Sequence, residues 1–114
     1  MDRQRRSEPR KKPDRLIEAF LRNGEPFGRV MNLTRHGLML AHTQPLPGNT
    51  IIPLSLKYLH QGVPVTIDMS VEGLWHSATP ESGKGFWSGC QIVDIDSDAL
   101  QVLENLLQTL SEYD

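Results

Sequence analysis

An alternation of apolar and polar side chains between residues 64 and 77 constrains the fold more than any other feature of this chain. At its centre, Val65, Ile67, Met69 and Val71 occupy every second position, and polar residues fill the positions between them. A period of two is typical of a β-strand that has one face buried and the other face in water. The sequence therefore predicts a long, half-buried strand in the second half of the chain.

Turn signals divide much of the remaining chain into further short strands. Asn23-Gly24 favours the left-handed backbone angles of a tight hairpin. We therefore interpret residues 16–22, which alone could also be helical, as a strand. Pro53 has no amide donor and belongs near an edge or a strand start. Further strands are expected at about residues 27–32, 38–42, 50–59 and 86–95, with bends or loops at 34–37, 44–49, 60–62 and 79–85.

The end of the chain changes to a helical period. Asp96-Ser97-Asp98 offers an N-cap with an acidic residue in the first turn. Six apolar residues then fall on one helical face: Ala99, Val102, Leu103, Leu106, Leu107 and Leu110. The outer residues Glu104 and Glu112 are expected to be solvated. We predict a mainly β fold, a small six-stranded antiparallel split barrel (residues 14–114) with a C-terminal helix over residues 97–112 and a flexible basic arm (residues 1–13).

The composition limits the classes of function. With 114 residues, of which 38% are hydrophobic, the chain fits one compact domain. No run approaches the roughly 18 apolar residues of a membrane span, and no signal peptide is expected. The single cysteine, Cys90, cannot form an internal disulfide and is expected to be a small buried residue. The four histidines are scattered and do not have the spacing of a zinc site. We expect a soluble, cytoplasmic monomer without a cofactor or metal.

Charge is distributed unevenly along the chain. Residues 1–12 sum to +4 and the other 102 residues to −6, for a formal net charge of −2. A protein held on a nucleic-acid polymer by its surface field is more often basic over a whole face, because affinity grows with the number of phosphates neutralised. The pattern favours a small anionic ligand or an acidic patch on a partner protein. A disordered, solubilising tail is the alternative.

Two short runs carry the candidate chemistry. The first, residues 5–10, contains three arginines, Arg5, Arg6 and Arg10. A guanidinium fits a phosphate or the O6/N7 edge of guanine, and it can stack on a base. The second, residues 32–37, offers the Asn32 amide, the Thr34 hydroxyl and a glycine at a bend. Together they suggest a clamp for an anionic guanine nucleotide, although Asn32 and Thr34 could instead serve as turn residues.

In this order, the two runs resemble the PilZ family of bacterial cyclic di-GMP receptors. Arg6-Ser7-Glu8-Pro9-Arg10 fits the R-x-x-x-R motif of that family, and Asn32-Leu33-Thr34-Arg35-His36-Gly37 fits its [D/N]-x-S-x-x-G motif. Thr34 stands where serine is usual and adds a methyl group. The resemblance covers nearly the whole chain, including the strand that ends in Gly73-Leu74-Trp75 and the closing helix.

The resemblance implies a ligand, cyclic di-GMP, and roles for several residues. Arg6 and Arg10 would contact phosphates and guanine from the arm, and Asn32 and Thr34 would hold a guanine from the barrel. Arg5 would favour an intercalated ligand dimer. Gly37 would permit the bend, Arg35 would add a cation, and Trp75 would either wall the site or pack in the core.

These expectations lead to a non-enzymatic receptor as the main functional hypothesis. The arm would become ordered on the ligand and relay the level of the second messenger to a protein partner in motility, biofilm, exopolysaccharide or virulence control. A degenerate PilZ adaptor that ignores the nucleotide is the alternative. A small barrel that binds nucleic acid is disfavoured by the acidic body. An enzyme is disfavoured, because the sequence offers no nucleophile beside an oriented base.

Overall fold

The structure is a computed structural model that describes residues 10–12, 15–42, 49–78 and 85–113. Within these residues the chain forms eight strands and one helix. In chain order they are β1 (Arg10–Lys12), β2 (Glu18–Leu21), β3 (Pro26–Leu33), β4 (Gly37–His42), β5 (Ile51–His60), β6 (Val63–Ala78), β7 (Phe86–Asp94), α1 (Ser97–Thr109) and β8 (Ser111–Tyr113).

Strands β2 to β7 form a closed antiparallel barrel. Their order is β2-β5-β6-β7-β4-β3, and β2 also pairs with β3, which closes the sheet on itself. The longest ladder joins β5 and β6 from Ile51 opposite Glu72 to His60 opposite Val63. The predicted six-stranded barrel with a C-terminal helix is therefore confirmed.

The turn chemistry explains how these strands are connected. Gly24 has a φ of 94°, and the Asn23 side chain accepts a hydrogen bond from the Glu25 amide at 2.9 Å. Gln61 and Gly62 both have positive φ angles, as the type I′ turn of a two-residue hairpin requires. The predicted hairpin at Asn23-Gly24 and the predicted turn at residues 60–62 are confirmed, whereas most of the predicted loops at 44–49 and 79–85 lie outside the described residues.

The core fills the barrel and continues beneath the helix. On β6, Ile67, Met69 and Val71 point inward, as their alternation predicts. Leu103, Leu106 and Leu110 close one side of the same cluster. Asp96 caps the helix, since its side chain accepts a hydrogen bond from the Ala99 amide at 2.8 Å. The helix therefore begins directly after β7.

The helix ends at Thr109 and not at residue 112 as predicted. Leu110 is extended, with φ −94° and ψ 152°, and its buried side chain stays in the core. Residues Ser111–Tyr113 then form β8, which pairs antiparallel with β1: Arg10 opposite Tyr113, Lys11 opposite Glu112 and Lys12 opposite Ser111. The pairing between β8 and β1 shortens the helix relative to the prediction. Because these two strands are far apart in the sequence, local periodicity does not reveal that they pair.

Strand β1 belongs to the segment that was predicted as a flexible arm. It is sandwiched between β3 and β8. The remainder of the arm up to residue 9, with residues 13 and 14, lies outside the described residues. In the described part of the chain, no helix is both long and apolar enough to cross a lipid bilayer.

Candidate functional site

A cavity of about 360 Å³ opens where the β3–β4 turn meets β6 and β7. Its wall combines polar groups of the second motif with apolar and thiol groups of the neighbouring strands: Asn32, Thr34, His36, Gly37, Leu38, Met39, Leu74, Gly89, Cys90 and Gln91. The cavity has the size and mixed lining of a site for part of a small organic ligand. Three of the predicted site residues, Asn32, Thr34 and Gly37, therefore line one cavity.

The β3–β4 turn is fixed by Thr34. Its hydroxyl accepts hydrogen bonds from the amides of His36 at 3.1 Å and Gly37 at 3.0 Å, and it donates to the Gly37 carbonyl at 3.3 Å. The Thr34 amide also donates to that carbonyl, at 2.8 Å. The turn role that was the alternative for Thr34 is thus present in the structure. A ligand can engage this hydroxyl by replacing the long donated bond, since the two accepted bonds hold the turn.

Gly37 is required by a close approach of two strands. A Cβ atom added at Gly37 would lie 2.5 Å from the carbonyl oxygen of Cys90 on β7. Backbone oxygen cannot retreat as the end of a flexible side chain can, so a larger residue would push β4 and β7 apart. The glycine therefore keeps the floor of the cavity in place, whereas the sequence suggested a bend as its reason.

Asn32 is the most informative residue of the cavity. It lies on β3 opposite Met39 and is only 6% exposed. Among the described residues, its side-chain amide has no hydrogen-bond partner, although it lines the cavity. A buried polar group left unpaired costs about 1–3 kcal/mol. The amide is therefore an open donor and acceptor at the cavity wall, as a ligand-binding group would be.

Arg35 belongs to the same turn, and its side chain contacts the helix. Its Nη2 atom is 2.7 Å from Oε2 of Glu104 on α1, and the two side chains are 47% and 33% exposed. It lines a second cavity of about 300 Å³, which shares His36 with the first and is otherwise bounded by residues 92–95 and Leu100. Arg35 is therefore directed toward the helix, and Glu104, predicted to be solvated, is its partner.

The first motif reaches the site through β1. Lys11 pairs with Leu33, the residue between Asn32 and Thr34. Arg10 precedes Lys11 in β1, so its backbone is one residue beyond this pair, in the direction of Thr34. The backbone of Arg10, the second arginine of the R-x-x-x-R motif, therefore lies next to the pair that β1 makes with the second motif, while Arg5 and Arg6 lie outside the described residues.

Leu74, Met39 and Gln91 line the cavity but were not predicted as site residues. A bulge between Gly73 and Trp75 places Leu74 at the cavity mouth, and a glycine within a strand is the sequence signal for such a bulge. Gln91 faces the cavity because it pairs with Gly37, a register that one strand's pattern cannot reveal. The Trp75 backbone pairs with Gly89, and its side chain is outside the described part.

Cys90 also lines the cavity and is buried, as predicted. Burial raises the pKa of the Cys90 thiol to about 11, because a thiolate is poorly solvated there. The thiol is therefore neutral near pH 7 and suits packing better than nucleophilic chemistry. Within the described residues, no group of three His, Cys, Asp or Glu side chains could hold a metal ion.

Comparison with solved structures places this architecture among known proteins. The Bacillus subtilis inhibitor of motility MotI/DgrA has a TM-score of 0.72 and 13% identity, with 92% of this chain and 50% of that chain covered. The PilZ domain of Escherichia coli YcgR, solved with c-di-GMP, has a TM-score of 0.68 and 12% identity over 94% of this chain and 92% of that chain. The K. pneumonia MrkH–c-di-GMP complex has a TM-score of 0.64 and 21% identity over 92% of this chain and 52% of the other.

The chain spans about half the length of MotI/DgrA and MrkH. At these identities the structural likeness establishes the fold alone. A search of the curated proteins finds no relative. The sequence profile of the PilZ domain matches residues 4–109, a segment that includes both motifs, the barrel and the helix. The chain therefore belongs to the PilZ domain family.

Proposed function

We propose that this PilZ domain is a non-enzymatic, cytoplasmic receptor for cyclic di-GMP. The observation that carries the proposal is the buried, unpartnered amide of Asn32 at the wall of the cavity. A side-chain amide both donates and accepts, so it can pair with a guanine edge, which also carries both kinds of group. Binding would return to Asn32 the hydrogen bonds that burial removed.

The position of β1 supports a phosphate-binding role for the arginines of the first motif. Arg10 is the neighbour of Lys11, which pairs with Leu33 directly before the β3–β4 turn. A guanidinium there could meet a phosphate of the ligand, and a charge-assisted hydrogen bond contributes roughly 1.5–3 kcal/mol. Arg5 and Arg6 would add further contacts from the preceding residues. Ordering the arm costs roughly 1–2 kcal/mol per residue, so several contacts must form together.

The structural relatives agree with this choice of ligand. Two of them, the YcgR PilZ domain and MrkH, were solved with c-di-GMP. MotI/DgrA is described as an inhibitor of motility. We propose that the chain likewise transmits messenger level to a protein partner, in motility, biofilm, exopolysaccharide or virulence control, by ordering its arm into a surface that the partner recognises.

An adaptor that binds no nucleotide is the second candidate. One observation favours it: the Thr34 hydroxyl is fully engaged within its own turn, with two accepted bonds and one donated bond. A hydroxyl has one donor and two acceptor positions. If none of these bonds is exchanged, Thr34 offers the ligand only its methyl group, and the domain would act through protein contacts alone.

Nuclear magnetic resonance separates the two candidates. Cyclic di-GMP added to ¹⁵N-labelled protein should shift the Asn32 side-chain resonances and the backbone amides of His36 and Gly37, because these groups line the cavity. The amides of Gly24 and Gly62, in the two hairpin turns, should not move. GTP and cyclic GMP serve as control ligands. Unchanged Asn32 and turn resonances at saturating dinucleotide would favour the adaptor.

A further inference from the structure

The ion pair between Arg35 and Glu104 lies between the turn of the proposed site and the helix. The turn backbone is held on β7, since the Ile92 amide donates to the His36 carbonyl at 2.7 Å. The Arg35 side chain leaves this fixed turn and meets Glu104 at 2.7 Å. The cation is thus held by the helix and lines the second cavity, whereas Asn32 lines the first, and His36 lines both.

An anionic ligand in the first cavity would compete with Glu104 for this cation. The Arg35 side chain is long, flexible and about half exposed, so it can exchange one anionic partner for another without a change in the turn. A solvent-exposed ion pair contributes little to stability. A dinucleotide phosphate can therefore displace the carboxylate, but the displacement costs the complex the free energy of the ion pair.

We propose that Glu104 is a positioning residue that lowers the affinity of the site for the dinucleotide by holding Arg35 on α1. This inference rests on the proposed function. Ligand binding draws Arg35 away from Glu104, and the helix loses its contact with the turn. Strand β8 follows α1 directly and pairs with β1 of the arm, so α1 is connected to the arm through β8. Occupancy of the site is therefore communicated to α1 and β8.

A double-mutant cycle tests the role of Glu104. At low ionic strength, where exposed charges are least screened, Glu104→Gln should tighten cyclic di-GMP binding about two- to fivefold. In an Arg35→Gln background, Glu104→Gln should have no effect, because the held cation is absent. Glu104→Gln keeps the side-chain length, whereas Arg35→Gln gives a shorter, uncharged polar side chain, and melting curves check that each variant is folded.

A second readout follows the helix. In the wild-type protein, the dinucleotide should shift the amides around Glu104 on α1, and this shift should be smaller in Glu104→Gln. A gain in affinity that is equal in both backgrounds would overturn the inference, because it would be a long-range effect of charge. Wild-type binding with no gain in Glu104→Gln would overturn the role of Glu104 and leave the receptor proposal standing. If no variant binds the dinucleotide, both proposals fall.

Discussion

Replacing Arg10 by alanine should weaken cyclic di-GMP binding by about 10- to 100-fold while leaving the barrel folded. The loss corresponds to one charge-assisted contact of roughly 1.5–3 kcal/mol. Arg10 lies in β1 next to Lys11, which pairs with Leu33 directly before Thr34. Replacing a side chain on this short strand leaves the backbone pairing with β3 and β8 available. Calorimetric titration gives the affinity, and thermal melting reports the fold.

Arg29→Ala is the matched control for this experiment. Arg29 is exposed, lies on β3 and is three residues from Asn32, a separation of about 10 Å along a strand. It lines neither of the two cavities. The substitution removes the same unit of charge, so a general electrostatic effect on an anionic ligand would appear in both variants. Equal losses in Arg10→Ala and Arg29→Ala would contradict a direct contact from the arm.

Asn32→Leu should change stability and binding in opposite directions. The substitution removes a buried amide that has no partner among the described residues and fills the edge of an adjacent cavity. The free energy of unfolding should rise by about 1 kcal/mol. Affinity for cyclic di-GMP should fall at least about tenfold, because a guanine edge would lose its partner. Urea unfolding and calorimetry measure the two effects.

Ser88→Ala provides the contrast to Asn32→Leu. Ser88 is likewise buried, but its hydroxyl lies 2.6 Å from Nε2 of His42, whose ring stacks on Phe27. Removing this hydroxyl deletes one buried hydrogen bond of the histidine and should cost about 1–3 kcal/mol of stability. Removing a polar group that stabilises the fold lowers the free energy of unfolding. If Asn32→Leu were as destabilising as Ser88→Ala, Asn32 would have a structural role and the receptor proposal would lose its main support.

Local patterns explain why much of the fold was predictable. The period of two on β6, the Asn23-Gly24 turn and the cap at Asp96 each act within a few residues, so their signals survive in the sequence alone. The β1–β8 pairing joins residues from opposite ends of the chain. Nothing in the sequence of either short strand specifies that partner, and the helix was consequently predicted to continue to residue 112.

The distinction between local and long-range signals also applies to the candidate site. The spacing of Asn32, Thr34 and Gly37 along one turn placed all three at a common cavity. Leu74 and Gln91 reach that cavity through a bulge and a cross-strand register, which depend on neighbouring strands. Arg35 was expected among the ligand-binding residues, yet its side chain is held by Glu104 on a different element. Motif spacing fixes the backbone position of a residue but not the direction of a long side chain.

Isothermal titration of the wild-type protein with cyclic di-GMP is the most direct test of the receptor proposal. The account predicts saturable binding in the micromolar range or tighter, with no comparable heat from GTP or cyclic GMP. The stoichiometry would distinguish one ligand per chain from the intercalated pair that Arg5 would favour. Absence of saturable binding at high dinucleotide concentration, confirmed by unchanged Asn32 side-chain resonances, would contradict the account and leave a PilZ domain that acts through protein contacts alone.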